Sequence, residues 1–435
     1  MKKTLFPPPS KPAAKASALT RRGLMMGAAA GGMGAALRPA AAQADEAMPP
    51  APDPMSDAAN PAMHVSYPFY RSAGGPRAQA GIATPPQRYT MFMSFDLSTQ
   101  DPRVLQVLLA RWSAAIGLLM QGETVGAVEP SRPEARGLDT GEALDLGPAG
   151  LTVTIGFGPG LFRPELGLSA HRPALLEDLP VLPSDAFSPI FTGGDLSLQA
   201  CAEDPQVAYH AIRDLARIAK RTGAAVTRWT QMGFGRASAG KGQVTPRNLF
   251  GFRDGTRNLR EQTEFDRYVW VNDGPDWQRG GSYQVVRKIE MRIENWDNDQ
   301  ISDQNAVFGR HKASGAPLTG TAEFDTPDFH KTGPDGAFVI PDNAHIRMMS
   351  HEMNDGVRIL RRSYNYTDGL DPVGRLDAGL LFVSYQNDPA HFIRLQRKMG
   401  TADALGEYVS HIGSGIFFTP PAPREGSYIG AEMFA

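Results

Sequence analysis

Residues 91–112 read MFMSFDLSTQDPRVLQVLLARW and join an apolar run to the start of a helix. The run 91–95 predicts a β-strand, and Asp101-Pro102 predicts a helix start. Aspartate caps the first turn of a helix, and proline at the first helical position loses no hydrogen bond. Val104, Leu108 and Trp112 follow at a spacing of four, which gives the predicted helix one apolar face.

The same order of strand, Asp-Pro and helix recurs twice, with strands predicted over 196–200 and 380–385. Their helices begin at Asp204-Pro205 and Asp388-Pro389. A fourth, weaker copy pairs a long alternating strand, 283–293, with a helix over 301–310.

Four strand-helix units grouped in two pairs are typical of the split βαβ arrangement. The sequence therefore predicts an α+β protein of two tandem ferredoxin-like domains with antiparallel sheets. We expect these domains to cover residues 86–245 and 246–435.

Composition excludes several classes of protein. The chain has 435 residues, with 44 Lys and Arg against 46 Asp and Glu, and a formal net charge of -2. It lacks the basic excess of nucleic-acid-binding proteins, so we expect no nucleic-acid partner. Cys201 is the single cysteine in the sequence, which excludes an intrachain disulfide and a cysteine-rich metal site.

The first 44 residues are typical of an export signal. Arg21-Arg22 precedes a weakly apolar stretch, 23–37, and an Ala-x-Ala cleavage motif ends at Ala44. The stretch is too short to span a membrane, so we expect no membrane span once the signal is removed. The paired arginines favour the twin-Arg (Tat) route to the periplasm over an ordinary secretory leader. Residues 45–85, rich in Pro, Ala and Gly, are predicted to be a flexible linker.

Two motifs are candidates for chemistry. Residues 251–258 read GFRDGTRN, and glycines on both sides of the Phe-Arg-Asp segment allow a tight turn that presents the Asp254 carboxylate. The alternative is a carboxylate that only caps its own turn. Residues 344–347 read AHIR, and a single histidine such as His345 suits haem iron better than zinc. His351 is the competing ligand.

These motifs resemble the dye-decolorizing peroxidase family. GFRDG is similar to its GxxDG signature, and AHIR followed by LRRSYNY, 360–366, resembles its haem-ligand and distal-arginine segments. GFGPGLF, TGGDL, GGSYQVVRKIEM and FGRHKASGAPL resemble the exported deferrochelatase/peroxidase branch of the family. The resemblance runs from Tyr89 to Phe434.

The resemblance implies one haem b per chain, in the C-terminal domain, with His345 as the axial iron ligand. A proximal histidine usually donates its other ring N–H to a carboxylate, and we expect Asp377 to be that partner. The alternative for Asp377 is a turn cap. The family's Asn-Pro-Arg segment after the histidine is missing here, so Arg347 and His351 are candidates to contact a haem propionate.

On the other face of the haem, the resemblance makes Asp254 the acid/base for hydrogen peroxide. Arg361 matches the distal arginine that stabilises the developing oxyanion. Gly255, Thr256 and Arg257 match the loop that contacts the haem.

The predicted function is a haem b peroxidase that reduces hydrogen peroxide and oxidises a bulky organic or metal substrate in the periplasm. One alternative is a deferrochelatase-like component of an iron-uptake system, which releases iron from haem together with partner proteins. Another is a haem carrier without turnover, although a carrier needs neither Asp254 nor Arg361. The branch also implies a homodimer.

Overall fold

The computed structural model describes residues 61–235 and 245–435. The predicted export signal, residues 1–44, and the first part of the predicted linker lie outside the described residues. None of the described helices is long and apolar enough to cross a membrane.

The first half of the described chain folds as a four-stranded antiparallel sheet covered by two helices. Its strand order is β2-β3-β1-β4, the order of a ferredoxin-like βαββαβ unit. Its elements are β1 (Tyr89–Leu97), α1 (Pro102–Leu119), β2 (Thr152–Phe157), β3 (Leu196–Ala202), α2 (Pro205–Thr222) and β4 (Ala225–Phe234).

The second half repeats this arrangement with longer insertions. Its main sheet has the order β9-β5-β8-β7, again antiparallel, and the short strand β6 pairs with β8. Its elements are α3 (Gln262–Tyr268), β5 (Ser282–Met291), α4 (Ile293–Asp297), α5 (Ile301–Phe308), α6 (His345–Met348), β6 (Leu360–Arg361), β7 (Tyr364–Leu370), β8 (Leu376–Gln386), α7 (Pro389–Ala402) and β9 (Val409–Thr419). The predicted fold class is therefore confirmed.

The two sheets meet at both edges. Phe157 of β2 pairs with Phe418 of β9, and Phe234 of β4 pairs with Asn365 of β7. Since β5 also pairs with β8, eight strands form a closed ring. Each outer strand of the two sheets therefore pairs with the other sheet over part of its length.

The three predicted Asp-Pro helix starts are confirmed. Asp101, Asp204 and Asp388 are the N-caps of α1, α2 and α7, and each carboxylate accepts a hydrogen bond from a backbone N–H of the first turn. The predicted apolar faces are buried as well, with Trp112 of α1 and Leu215 of α2 both inaccessible to solvent.

Part of the predicted linker is instead packed against the sheets. Met63, Phe69 and Ile82 are buried, and the Gln79 amide donates to the carbonyls of Ile155 and Pro420 at 2.9 and 2.8 Å. The flexible-linker prediction is wrong for residues 61–85. A few apolar anchors and one buried amide hold a segment whose composition is otherwise typical of a linker.

The cap at Asp204 provides a test of this fold. Its carboxylate accepts from Gln206 N at 2.7 Å and Val207 N at 3.0 Å, so Asp204→Ala leaves two amide groups of α2 without their acceptor. We expect the free energy of unfolding to fall by about 1 kcal/mol in chemical denaturation. The control is Asp178→Ala at an exposed loop position, and an equal loss in both variants contradicts the capping role.

Candidate active site

A large cavity lies between the second sheet and the segments that cover it. It has an empty volume of about 1490 Å³, its open mouth included. The strands of the second sheet and the segments around Asp254, His345 and Arg361 all line it, so one ligand can contact the sheet and its covering segments together. Its apolar wall is formed by side chains from β5, β8, β9 and α5, among them Ile289, Met291, Phe308, Leu380, Phe382 and Val409.

Asp254 and Arg361 form the main polar feature of the cavity wall. Arg361 Nη1 donates to Asp254 Oδ1 at 2.6 Å, and both side chains line the cavity. Their exposed fractions are 16% for Asp254 and 30% for Arg361, so the pair remains open to a small molecule. Gly255 has a φ of +110°, a conformation that a residue with a side chain rarely adopts, and this turn directs the loop back along the cavity.

Asn258 fastens this loop to the strand that carries Arg361. Its side-chain amide donates to the Arg361 carbonyl at 2.7 Å, and its Oδ1 accepts from the Arg361 N–H at 3.0 Å. Asn258 was not among the predicted site residues, although it lies within the GFRDGTRN motif. Its position in the same motif, four residues after Asp254, was the signal in the sequence that could have indicated a role at the site.

His345 lies on the same cavity, at the start of α6. Its Nδ1 lies 2.7 Å from Oδ2 of Asp403, whose side chain is fully buried. An ionised carboxylate only accepts hydrogen bonds, so in the neutral imidazole the proton is on Nδ1 and Nε2 has a free lone pair. Asp403 also accepts from Leu405 N at 2.9 Å, which fixes the carboxylate from a second direction.

The prediction that Asp377 is the partner of His345 is therefore wrong. Asp377 lies on β8 opposite Gly369 and does not line the cavity. Asp403 lies 58 residues after His345, at the end of α7, and no local spacing connects the two. Only the packing of α7 beside α6 brings them together.

The loop residues Gly255, Thr256 and Arg257 all line the cavity. Thr256 Oγ1 donates to Glu323 Oε1 at 3.0 Å. Arg257 pairs with Glu352 at 2.6 Å, and its Nη2 lies 3.4 Å from Nδ1 of His351, which lines the cavity as well.

Arg347 does not line the cavity, so the prediction that it contacts a ligand there is wrong. Its guanidinium donates to the Phe329 carbonyl at 2.7 Å and lies over the ring of Phe338 at 4.3 Å. Residues two apart in a helix point about 200° from each other. With His345 facing the cavity, Arg347 must face away from it.

A buried arginine that the sequence analysis did not assign, Arg310, completes the polar wall. It is 4% exposed, lines the cavity and donates to the carbonyls of Gly315 and Glu323 at 2.6 and 3.0 Å. Burial, followed by the charge of Arg257, lowers the pKa of Arg310 to about 10. A negative charge nearby offsets this penalty, so Arg310 favours an anionic group of a ligand in the cavity.

Comparison with known proteins relates this chain to a family of peroxidases. The sequence model "Dyp-type peroxidase, N-terminal" matches residues 79–235, and the model "Dyp-type peroxidase, C-terminal" matches residues 245–424. The chain is 38% identical over 366 residues to a deferrochelatase of Yersinia pseudotuberculosis, an alignment that covers 81% of this chain and 82% of the relative.

Two solved structures extend the comparison to the fold. A DyP-type peroxidase from Streptomyces coelicolor is 39% identical, with a TM-score of 0.78, over 85% of this chain and 97% of that structure. Ferric DtpA from Streptomyces lividans is 38% identical, with a TM-score of 0.78, over 86% of this chain and 98% of that structure. Because two family models together match most of its length and relatives above 30% identity cover more than two thirds of it, this chain belongs to the Dyp-type peroxidase family.

Proposed function

We propose that this chain is a haem peroxidase that reduces hydrogen peroxide in the periplasm and takes electrons from a bulky organic or metal donor. The observation that carries the proposal is the Asp254–Arg361 pair, whose charged atoms lie 2.6 Å apart on a cavity that also exposes His345. Periplasmic location is part of the proposal and rests on Arg21-Arg22 and the cleavage motif in the sequence.

The cavity fits haem b on three counts. Its apolar wall suits the porphyrin ring, and His345 has a free Nε2 because Asp403 accepts the Nδ1 proton. The buried, cationic Arg310 suits a propionate. His345 would bind the haem iron through Nε2, with Asp403 holding its ring, and each chain would hold one haem.

When bound, the haem iron supplies the centre at which peroxide is reduced and at which oxidising equivalents are held. Asp254 accepts a proton from one peroxide oxygen and returns it to the other, which leaves as water. Arg361 stabilises the negative charge that develops on the departing oxygen. Asn258 keeps the two in place, since it binds the backbone of Arg361 from the Asp254 loop. Because both groups are held before peroxide arrives, little reorganisation is needed during the reaction.

A second candidate function is the release of iron from haem, and the relative named deferrochelatase favours it. Incubation of the protein with haem under acid, reducing conditions separates the two candidates. Fluorescence from metal-free porphyrin supports iron release, and its absence counts against it. A haem carrier without turnover is disfavoured, because Asp254 and Arg361 serve no purpose in holding haem alone.

Substitution of Asp254 tests the acid/base assignment. We expect Asp254→Ala to bind haem normally and to react with peroxide about 10²–10⁴-fold more slowly, measured by stopped-flow absorption. Asp377→Ala, an aspartate outside the cavity, is the matched control and retains the wild-type rate. Equal rates for Asp254→Ala and the wild type rule out Asp254 as the acid/base.

Substitution of Asp403 tests the assignment of the histidine partner. Asp403→Asn removes the negative charge beside His345, which makes the imidazole a weaker donor to iron, so the reduction potential of the bound haem rises. Asp377→Asn leaves the potential unchanged. His345→Ala loses the histidine-ligated absorption spectrum altogether, and an unchanged spectrum transfers the ligand role to His351.

Asn258 is expected to act through the position of Arg361. Asn258→Ala removes two hydrogen bonds worth about 1 kcal/mol each, so we expect hydrogen exchange at the Arg361 amide to accelerate roughly 5- to 30-fold. The reaction of Asn258→Ala with peroxide is expected to be slower than that of the wild type. The control is Asn272→Ala, because the side-chain amide of Asn272 makes its hydrogen bond at the surface, to the Asp266 carbonyl. Unchanged exchange at Arg361 in Asn258→Ala contradicts this role.

A further inference from the structure

A cluster of ionisable side chains lies outside the cavity, between α2 and the long loop that precedes β2. His210 and Asp214 are one turn apart on α2, and Asp139 belongs to the loop. All three are buried, and one ligand atom from each lies within 4.8 Å of the other two. The proposed peroxidase reaction uses none of them.

The distances around the Nε2 atom of His210 do not suit hydrogen bonds. Its ring is 5% exposed, and its Nε2 points at Asp139 Oδ2, 3.5 Å away, and Asp214 Oδ2, 3.7 Å away. The Nε2 atom makes no hydrogen bond to any residue that the structure describes, since such bonds have lengths near 2.7–3.2 Å. Two atoms that bind one cation at about 2.0–2.6 Å are roughly 3–4 Å apart, which is the spacing seen here.

The other ring nitrogen of His210 is already engaged. Its Nδ1 lies 2.9 Å from Glu142 Oε2. Arg213 pairs with the other oxygen of the same carboxylate. An ionised Glu142 accepts the Nδ1 proton and leaves the Nε2 lone pair facing the two aspartates, the arrangement usual for a metal-binding histidine.

The two aspartates need a positive charge between them. Asp139 and Asp214 are both buried, and the Oδ2 atom of each lies within 4 Å of His210 Nε2. Arg217 pairs with the Oδ1 of Asp214 at 2.8 Å, and Arg213 pairs with Glu142, so both arginines approach the cluster from its outside. The Oδ2 atoms that face His210 receive backbone hydrogen bonds from Val125 and Thr140 and contact neither arginine.

We propose that Asp139, His210 and Asp214 bind one divalent first-row transition-metal ion, such as Zn²⁺ or Mn²⁺. One imidazole nitrogen and two carboxylates suit these ions better than Ca²⁺ or Mg²⁺, which prefer oxygen ligands alone. The ion fastens the loop to α2. Residues 120–151 contain no helix or strand, and ordered loops longer than about 12–15 residues are uncommon without such an anchor.

Metal binding to the full, haem-loaded chain tests this site. After chelator treatment and dialysis, titration with MnCl₂ followed by electron paramagnetic resonance is expected to show one saturable site per chain. ZnCl₂ competes for it, and mass spectrometry counts Zn separately from haem iron. We expect saturation with Zn²⁺ to raise the melting temperature by about 2–5 °C.

His210→Gln and Asp139→Asn are expected to lose the saturable binding and the rise in melting temperature. The control, His330→Gln at an exposed position, keeps both. Should a variant fail to fold, the wild-type titration decides alone. Absence of a saturable site in the wild type, or undiminished binding in folded His210→Gln, overturns the proposal and leaves the cluster a closed network of ion pairs.

Discussion

Strand β5 is hydrogen-bonded on both sides, to β8 and to β9, and the architecture of the site depends on this double pairing. On one face of the strand, near its carboxyl end, Ile289 and Met291 form part of the apolar wall of the cavity. The other face points into the ring of strands, where the Gln284 amide donates to Gln199 of the first sheet at 3.0 Å. The same strand therefore shapes the cavity and joins the two halves of the molecule.

Local chemistry made much of the fold predictable. An aspartate before a proline specifies a helix start by itself, so the three Asp-Pro helices could be placed from short stretches of sequence. Asp254, His345 and Arg361 could be named because the motifs around them are dense and resemble a known family. The partner of His345 could not be predicted, because Asp403 reaches it only through the packing of two helices distant in sequence.

Side-chain periodicity explains which neighbours reach the cavity. Arg361 and Arg362 are adjacent, and successive residues of an extended chain point to opposite faces. Arg361 meets Asp254 at the cavity, whereas Arg362 is 3% exposed and donates to Gln87 Oε1. On α6, helical periodicity places His345 and Arg347 on different faces. To predict which residue faces the cavity, the orientation of the strand or helix must be known as well as its type. Two adjacent basic residues in a sequence do not reveal that orientation.

Closure of the strand ring has a consequence for synthesis of the chain. The first sheet can form once residue 234 has been made, but its outer strands, β2 and β4, pair with β9 and β7, which come much later. While the ribosome translates the second half, the first sheet has two open edges, and such edges invite pairing with other chains. The last of these partners, Phe418, belongs to β9, which follows β5, β7 and β8 in the chain, so the ring closes only after the rest of the second sheet has been made.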